Sequence, residues 1–498
     1  MKKNLFSLLG VMLFFTAIKS QTVTVRDNST GDIIRNVTIK DKTNKSVRTE
    51  TNGKADVSSL DKEDSLTFFH PDYFTLKVMV TADIEVAMMG RAINLDEVVL
   101  SASRSADTLK NIPFHMTIIN QKQIEFSNPQ TAADLIQNAG VMVQRSQAGG
   151  GSPIMRGFES SRVLLVVDGV RMNNAIYRAG HLQDVMTLDA SMIEKTEVVF
   201  GPSSTAYGSD ALGGVMHFYT KNAQFSSTDK MLLKVNTMAR YSTVNKEKTG
   251  HLDFNIGTKK IAFLTNVTWS DFDNLRTGRF RDRADTAFGK RYYYVERING
   301  KDSMMVNADP EVQTGSAYQQ LDLMQRINFK QSDKVTHGIN FQYSKNDNLP
   351  RYDRLTELAG GKLKFAEWYY KQNRMLVSYN LWLTGKTVAW DNARVILAYQ
   401  KIEQDRVNRR FNNIYRSSQF EDLSVISVNA DFAKTIGAKN DLKYGIEFTS
   451  NDVKSTAEKR DIVADTAGKA ATRYPDGENK FMTMAAYVTD NYKINDQW

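Results

Sequence analysis

The 498-residue sequence contains no cysteine. That excludes disulfides, thiolate-held metals and lipid attachment through an N-terminal cysteine. Histidine is scarce, with six in the chain. Beyond the first twenty or so residues no apolar run approaches a transmembrane helix, so any membrane crossing has to be made by strands. Dense basic tracts interleaved with aromatics are also missing: the net charge of +9 arises from 65 basic against 56 acidic residues of mixed sign. A solvated surface accounts for that balance, and nucleic acid is not an expected partner. The glycine-rich stretches lack the marks of nucleotide loops, because "GGGSPIMRG" has no following Lys-Ser/Thr and "GPSSTAYGSDALGG" departs from dinucleotide spacing. No "GxSxG" elbow occurs, so no enzymatic activity is expected and no catalytic residue is assigned.

What is present divides into segments of different texture. Lys2 and Lys3 precede an apolar run from Leu5 to Ile18, which reads as a signal peptide over residues 1–20 with cleavage before Gln21. Residues 21–92 hold short alternating runs such as "TVTVRD", "NVTIKD" and "SLTFFHPDYFTLKVMV", the spacing of a small β-sandwich. Residues 94–104, "NLDEVVLSASR", set two acids before Val98, Val99 and Leu100. Such a strip suits addition as a strand to another protein's sheet edge, and equally suits an ordinary strand.

Residues 105–225 alternate helix and strand signals and read as a compact mixed domain. In "SNPQTAADLIQNAGVMV", Asn128 is expected to cap a helix, Pro129 to open it and Gly140 to end it, with Leu135 and Ile136 on its buried face. From residue 226 to 498 the pattern becomes uniform: strand, short polar turn, strand, with long polar loops such as Asp271 to Ser316 on the opposite side. Leu252, Phe254 and Ile256 share one face, as do Ile339, Phe341 and Tyr343, and aromatics cluster near strand ends. This is the texture of a membrane β-barrel. About ten strands are expected, whereas plugged barrels use about 22. The expected fold class is mainly β: an N-terminal sandwich, an α+β plug and a partial antiparallel barrel.

Together these segments resemble the TonB-dependent outer-membrane receptors, with a carboxypeptidase-regulatory-like domain in front and a barrel that stops short. The most specific portion is "MRGF", "VLLVVDGVRMN" and "IEKTEVVFGPSSTAYGSDALGGV", between Met155 and Thr220. The resemblance implies that Asp96, Glu97, Val98, Val99 and Leu100 form the TonB box, and that TonB with its inner-membrane energising complex is a partner. It also implies an outer-membrane location, with lipid and lipopolysaccharide around the barrel. "YRAGHLQD" is most similar to the haem and haemoglobin receptors, which implies His181 as a ligand of haem iron. Tyr177, Arg178 and Arg171 flank it as candidates to stack on haem, ligate it or pair with its propionates. Haem is then a transported ligand and not a resident cofactor.

The family's second haem histidine lies near "FRAP" and "NPNL" motifs, and neither occurs here. His70, His115, His217, His251 and His337 read as structural residues. The arginines from Arg276 to Arg283 could draw an anionic cargo or lipopolysaccharide phosphates, or could keep their loop soluble. The function that follows is uptake of haem or of haem from a haem protein. A siderophore or other nutrient receptor, a secreted adhesin or glycan-binding module, and an inactive truncated product are the alternatives.

Overall fold

The computed structural model describes residues 21–28, 31–61, 65–70, 73–80, 84–89, 98–99, 104, 107–108, 114–176, 184–281, 284–437 and 439–495. It forms two compact units, residues 1–94 and 95–498.

The first unit packs two sheets face to face. Thr22–Asp27 pairs antiparallel with Lys54–Asp56 and parallel with Ile84–Met88. The second sheet runs Ser46–Arg48, Thr38–Lys40, Leu66–Phe69 and Leu76–Val78. Alternation places Val23, Val25, Ile39, Leu66, Phe68 and Met88 in one fully buried core. Each such side chain contributes about 1.5–3 kcal/mol on burial, which drives the sheets together.

The second unit begins with a short hairpin in which Val98–Val99 pairs with Asp107–Thr108. A five-stranded mixed sheet follows, in the order His115–Asn120, Ile193–Phe200, Gly214–Thr220, Val163–Val167 and Val170–Arg171. Both faces of Val163–Val167 are covered, which is why the sequence there is apolar without alternation. Helices Gln121–Ser127 and Ala132–Asn138 cover one face, with Ile124, Leu135 and Ile136 packed on Leu165, Val198 and Phe218.

The helix boundaries differ from the sequence expectation. Asn128 does not start a helix; it closes the first one in a left-handed conformation, φ 43°. Thr131 caps the second helix, and Asp134 returns the bond to the Thr131 N–H. Thr131 and Asp134 form a reciprocal capping box, which outcompetes the single cap Asn128 would supply. Gly140, at φ +78°, follows the helix in the left-handed conformation expected of it.

Ten long strands then form one antiparallel sheet: Leu232–Ser242, Glu247–Gly257, Ile261–Phe272, Tyr318–Lys330, Val335–Asn346, Phe365–Thr384, Asn392–Arg410, Tyr415–Ile436, Asn440–Asp461 and Gly477–Tyr492. Each pairs with the next along the chain, and among the described residues the first and last have a neighbour on one side only. The connections at one end are short (258–260, 331–334, 385–391, 437–439), and those at the other include 273–317 and 347–364. The expected loop after Asp271 carries a hairpin of its own, Tyr293–Ile298 with Lys301–Val306.

Alternation in this sheet is inverted relative to a water-soluble protein. His251, Asp253 and Asn255 are buried between Leu252, Phe254 and Ile256, and Leu252 is 41% exposed. Likewise Asn340 is buried while Ile339 is 48% exposed. Apolar side chains outward and polar ones inward is the arrangement of a sheet whose outer solvent is lipid. Near the short-connection end, Phe432 and Tyr444 stack at 5.2 Å, in keeping with an interfacial aromatic girdle.

Candidate functional site

The mixed domain is held against the inner face of the sheet by its tight turn Asp168–Gly169. Asp168 adopts φ 51° and points its carboxylate at the sheet. Its Oδ1 accepts from the Thr220 N–H at 2.9 Å. Its Oδ2 accepts from Thr220 Oγ1 at 2.7 Å, Arg326 Nη2 at 2.7 Å, Asn340 Nδ2 at 2.9 Å and Gln342 Nε2 at 3.2 Å. The turn's carbonyls accept from Arg394 and Asn429, at 2.7 and 2.8 Å. Gly169 is required here, because at φ +93° an added Cβ would lie 2.6 Å from Ile396 Cδ1.

Behind the turn, the Gly169 N–H donates to His217 Nε2 at 3.0 Å. With Nε2 an acceptor, Nδ1 carries the proton of the neutral ring and donates to Tyr219 Oη, 3.1 Å away. Tyr219 in turn donates to Glu197 at 3.4 Å, and Lys195 pairs with Glu197 at 2.6 Å. Burial, followed by the cations Arg394, Lys195 and Arg104, holds His217 well below its ordinary pKa. It is a neutral structural imidazole, as the sequence reading has it.

Among the described residues, several cavities lie between this domain and the sheet, and two of them share lining residues. One of about 610 Å³ is lined by Arg171, Asn173, Asp210, Asn451 and Tyr474, towards the long-loop end. The other, about 440 Å³, is lined by Arg104, Tyr207, His217, Asp391 and Lys443, towards the short-connection end. Arg171 and Glu447 line both. The Arg171 Nε donates to Glu447, its Nη2 to the Tyr207 carbonyl, and its Nη1 lies 3.4 Å from Asp210. Arg104 donates to the second oxygen of the same Glu447. Burial opposes the charge on Arg104, but Glu447, Tyr207 and Asp431 more than offset it and its pKa is raised. Burial also raises the Asp210 carboxyl, against the pull of Arg171.

Of the sequence-predicted residues, His181, Tyr177 and Arg178 lie outside the described residues, as do Asp96, Glu97 and Leu100. Both stems of the 177–183 segment are described. On one side, Ile176 packs with Ile402, Leu423, Val425 and Val453. There Tyr474 Oη donates to the Ile176 carbonyl at 2.7 Å, and the Ala175 N–H donates to Asn451 Oδ1 at 3.1 Å. On the other side, Met186 packs with Phe272, Tyr318 and Leu349, and its carbonyl accepts from Gln320 at 2.9 Å. The two described stems thus pack on different strands of the sheet.

Among the loop arginines, Arg276, Arg279 and Arg281 converge on Glu311 at 3.2–3.4 Å, so much of that positive charge is already paired. Sequence reasoning missed Arg104, Glu447 and Tyr474, whose partners lie hundreds of residues away, and Asp210, whose partner Arg171 sits on a different element of the same domain.

Residues 108–215 match the TonB-dependent receptor plug domain. A vitamin B12 transporter of Vibrio vulnificus is 34% identical over 134 residues, 26% of this chain and 22% of the relative. A hemin receptor of Yersinia pestis is 30% identical over 164 residues, 32% of this chain and 23% of the relative. A heme/hemopexin utilization protein of Haemophilus influenzae is 29% identical over 222 residues, 43% of this chain and 30% of the relative. The chain thus spans under a third of the length of these relatives. Among solved structures, the copper transporter OprC aligns with TM-score 0.58 at 12% identity, over 76% of this chain and 52% of that one. The Serratia marcescens hemophore receptor HasR aligns with TM-score 0.52 at 13% identity, over 76% and 50%. Residues 108–215 are thus similar to the TonB-dependent receptor plug domain, and the inverted antiparallel sheet around them shares the fold of these solved receptors and transporters.

Proposed function

We propose that this chain serves uptake of haem, or of haem from a haem protein, across the outer membrane, driven by the proton-motive force through TonB. The observation that carries the reading is the "GHL" histidine, His181, in a stretch of sequence one of whose described stems, through Asn173, Asn174 and Ala175, lines a cavity of about 610 Å³. A neutral imidazole is a good axial ligand for haem iron, and Tyr177, Arg178 and Arg171 supply stacking and propionate-pairing groups nearby in sequence. Similarity to relatives named for hemin and heme utilization supports the same cargo. TonB would engage Asp96–Leu100 by strand addition.

The test is titration of the purified chain with haemin, followed in the Soret band. A saturable shift in the wild type and its loss in His181→Ala are expected. The absence of a shift in the wild type removes haem as cargo. Uptake of a ferric siderophore or, given the vitamin B12 transporter among the relatives, a corrinoid would then be measured.

A further inference from the structure

Where the long loops 273–317 and 347–364 meet, three buried N–H groups have no acceptor. Arg291, in the first loop, is 4% exposed. Its Nε donates to the Tyr293 carbonyl at 3.3 Å and its Nη2 to the Leu355 carbonyl of the second loop at 3.5 Å. Its Nη1 is buried and unused. No carboxylate offsets this burial, which pulls the guanidinium down to about 10. Next to Leu355, Arg354 gives Nη1 to Glu357 and sets its guanidinium 5.4 Å from the Trp368 ring. The Arg354 Nε and the Trp368 indole N–H are the other two unused donors. Gly315, at φ +84°, faces Arg291: a Cβ there would lie 3.6 Å from Nη1 and 3.7 Å from Leu355 Cδ1, so its absence leaves room of about a methyl group before the unused N–H.

A buried donor left unpaired opposes packing of the loops, and a buried cation without a counter-charge opposes it more. All three unused groups are donors, and two belong to cations. Among the described residues, Arg291, Arg351, Arg354 and Lys364 are opposed here by the carboxylates of Asp353 and Glu357, so positive charge is in excess. Water would satisfy a donor but not the charge, whereas an oxyanion satisfies both. We propose that this junction binds a phosphate group, free or carried by a lipid headgroup, whose oxygens accept from Arg291 Nη1, Arg354 Nε and the Trp368 indole N–H. A tetrahedral phosphate presents oxygens in several directions to three separate donors; a carboxylate presents two in one plane, and chloride supplies charge without direction. The loops part to admit the group and close over it at Gly315, so binding orders both of them. None of these residues lines the two cavities beside Arg171, which sets the site apart from the cargo pocket.

The test is equilibrium dialysis of the full chain, in dodecyl maltoside micelles, against radiolabelled inorganic phosphate at constant ionic strength. Saturable binding is expected in the wild type, weakened at least about tenfold in Arg291→Gln. Trp368→Phe keeps a ring beside Arg354 and removes only the N–H; a loss of about threefold or more is expected, and this variant decides should Arg291→Gln fail to assemble. Arg279→Gln alters an exposed cation of the same loop that is paired with Glu311, and should bind as the wild type does. If free phosphate does not bind, diphosphoryl lipid A is added to the micelles. Slower amide exchange at Tyr352–Leu355 with that lipid, lost in Trp368→Phe, then assigns the group to a headgroup. No effect in either arm overturns the proposal. So does displacement of phosphate by chloride or acetate at equal concentration, unchanged binding in Trp368→Phe, or an equal loss in Arg279→Gln.

Discussion

Tyr474 donates its hydroxyl hydrogen to the carbonyl of Ile176 across 2.7 Å, so a residue of the loop 462–476 holds one stem of the segment that carries His181. Removing only that hydroxyl, in Tyr474→Phe, forfeits about 0.5–1.5 kcal/mol of local stability. Amide hydrogen exchange at Ala175 and Ile176 is expected to accelerate by about two- to tenfold, with exchange in Val163–Val167 unchanged. Unchanged exchange at the stem would show that the apolar contacts of Ile176 hold it unaided.

Asp168 is the acceptor on which plug and sheet converge, with five donors on its carboxylate. In Asp168→Asn one oxygen becomes an NH₂ facing other donors, and buried Arg326 loses its counter-charge. A loss of about 3–5 kcal/mol in plug seating is expected. Urea titration followed by limited proteolysis of the plug should show its release at lower denaturant than in the wild type, with the sheet still intact.

The neutral state of His217 gives a pH signature. Its pKa is depressed in the folded chain, so the unfolded chain binds the extra proton once pH drops below about 6.5. Stability from this residue is complete above that pH and is lost on acidification at up to about 1.4 kcal/mol per pH unit, until the folded-state pKa is reached. His217→Gln keeps an acceptor for Gly169 and a donor for Tyr219 but does not titrate. The difference in stability between wild type and variant should therefore be constant above pH 7 and shrink below about pH 6.5; a constant difference down to pH 5 would refute the assignment.

The outward face of the sheet is tested by Ile339→Arg, at a side chain 48% exposed on the apolar surface. Near the bilayer midplane such a change costs about 2–4 kcal/mol. A lower folded fraction in lipid vesicles is expected, read from heat-modifiable migration in gels, whereas Ile339→Leu should fold as the wild type does.

The barrel was legible because a strand repeats every two residues: the alternation in "HLDFNIG" and "HGINFQYS" sufficed to count ten strands and to find their apolar face. The plug was legible from its motifs, which lie within one stretch of sequence. Helix boundaries were less so, since Asn128 and Thr131 are both good caps and only the reciprocal bond from Asp134 selects between them. The ionic centre was not legible, because Arg104, Arg171 and Glu447 are far apart in the chain and share one site only after the sheet has wrapped the plug. His181 drew attention through resemblance alone, as an isolated loop histidine carries no local signature.

The contacts that seat the plug are mostly amide, guanidinium and carboxylate groups, with four small apolar clusters between them. Water can replace each polar contact almost one for one, whereas a continuous oily seam would have to be torn open all at once. The plug is therefore attached more like a wet, reversible complex than like a second half of one core. A modest pull applied at one end can undo it bond by bond, and the same bonds can re-form when the pull ceases.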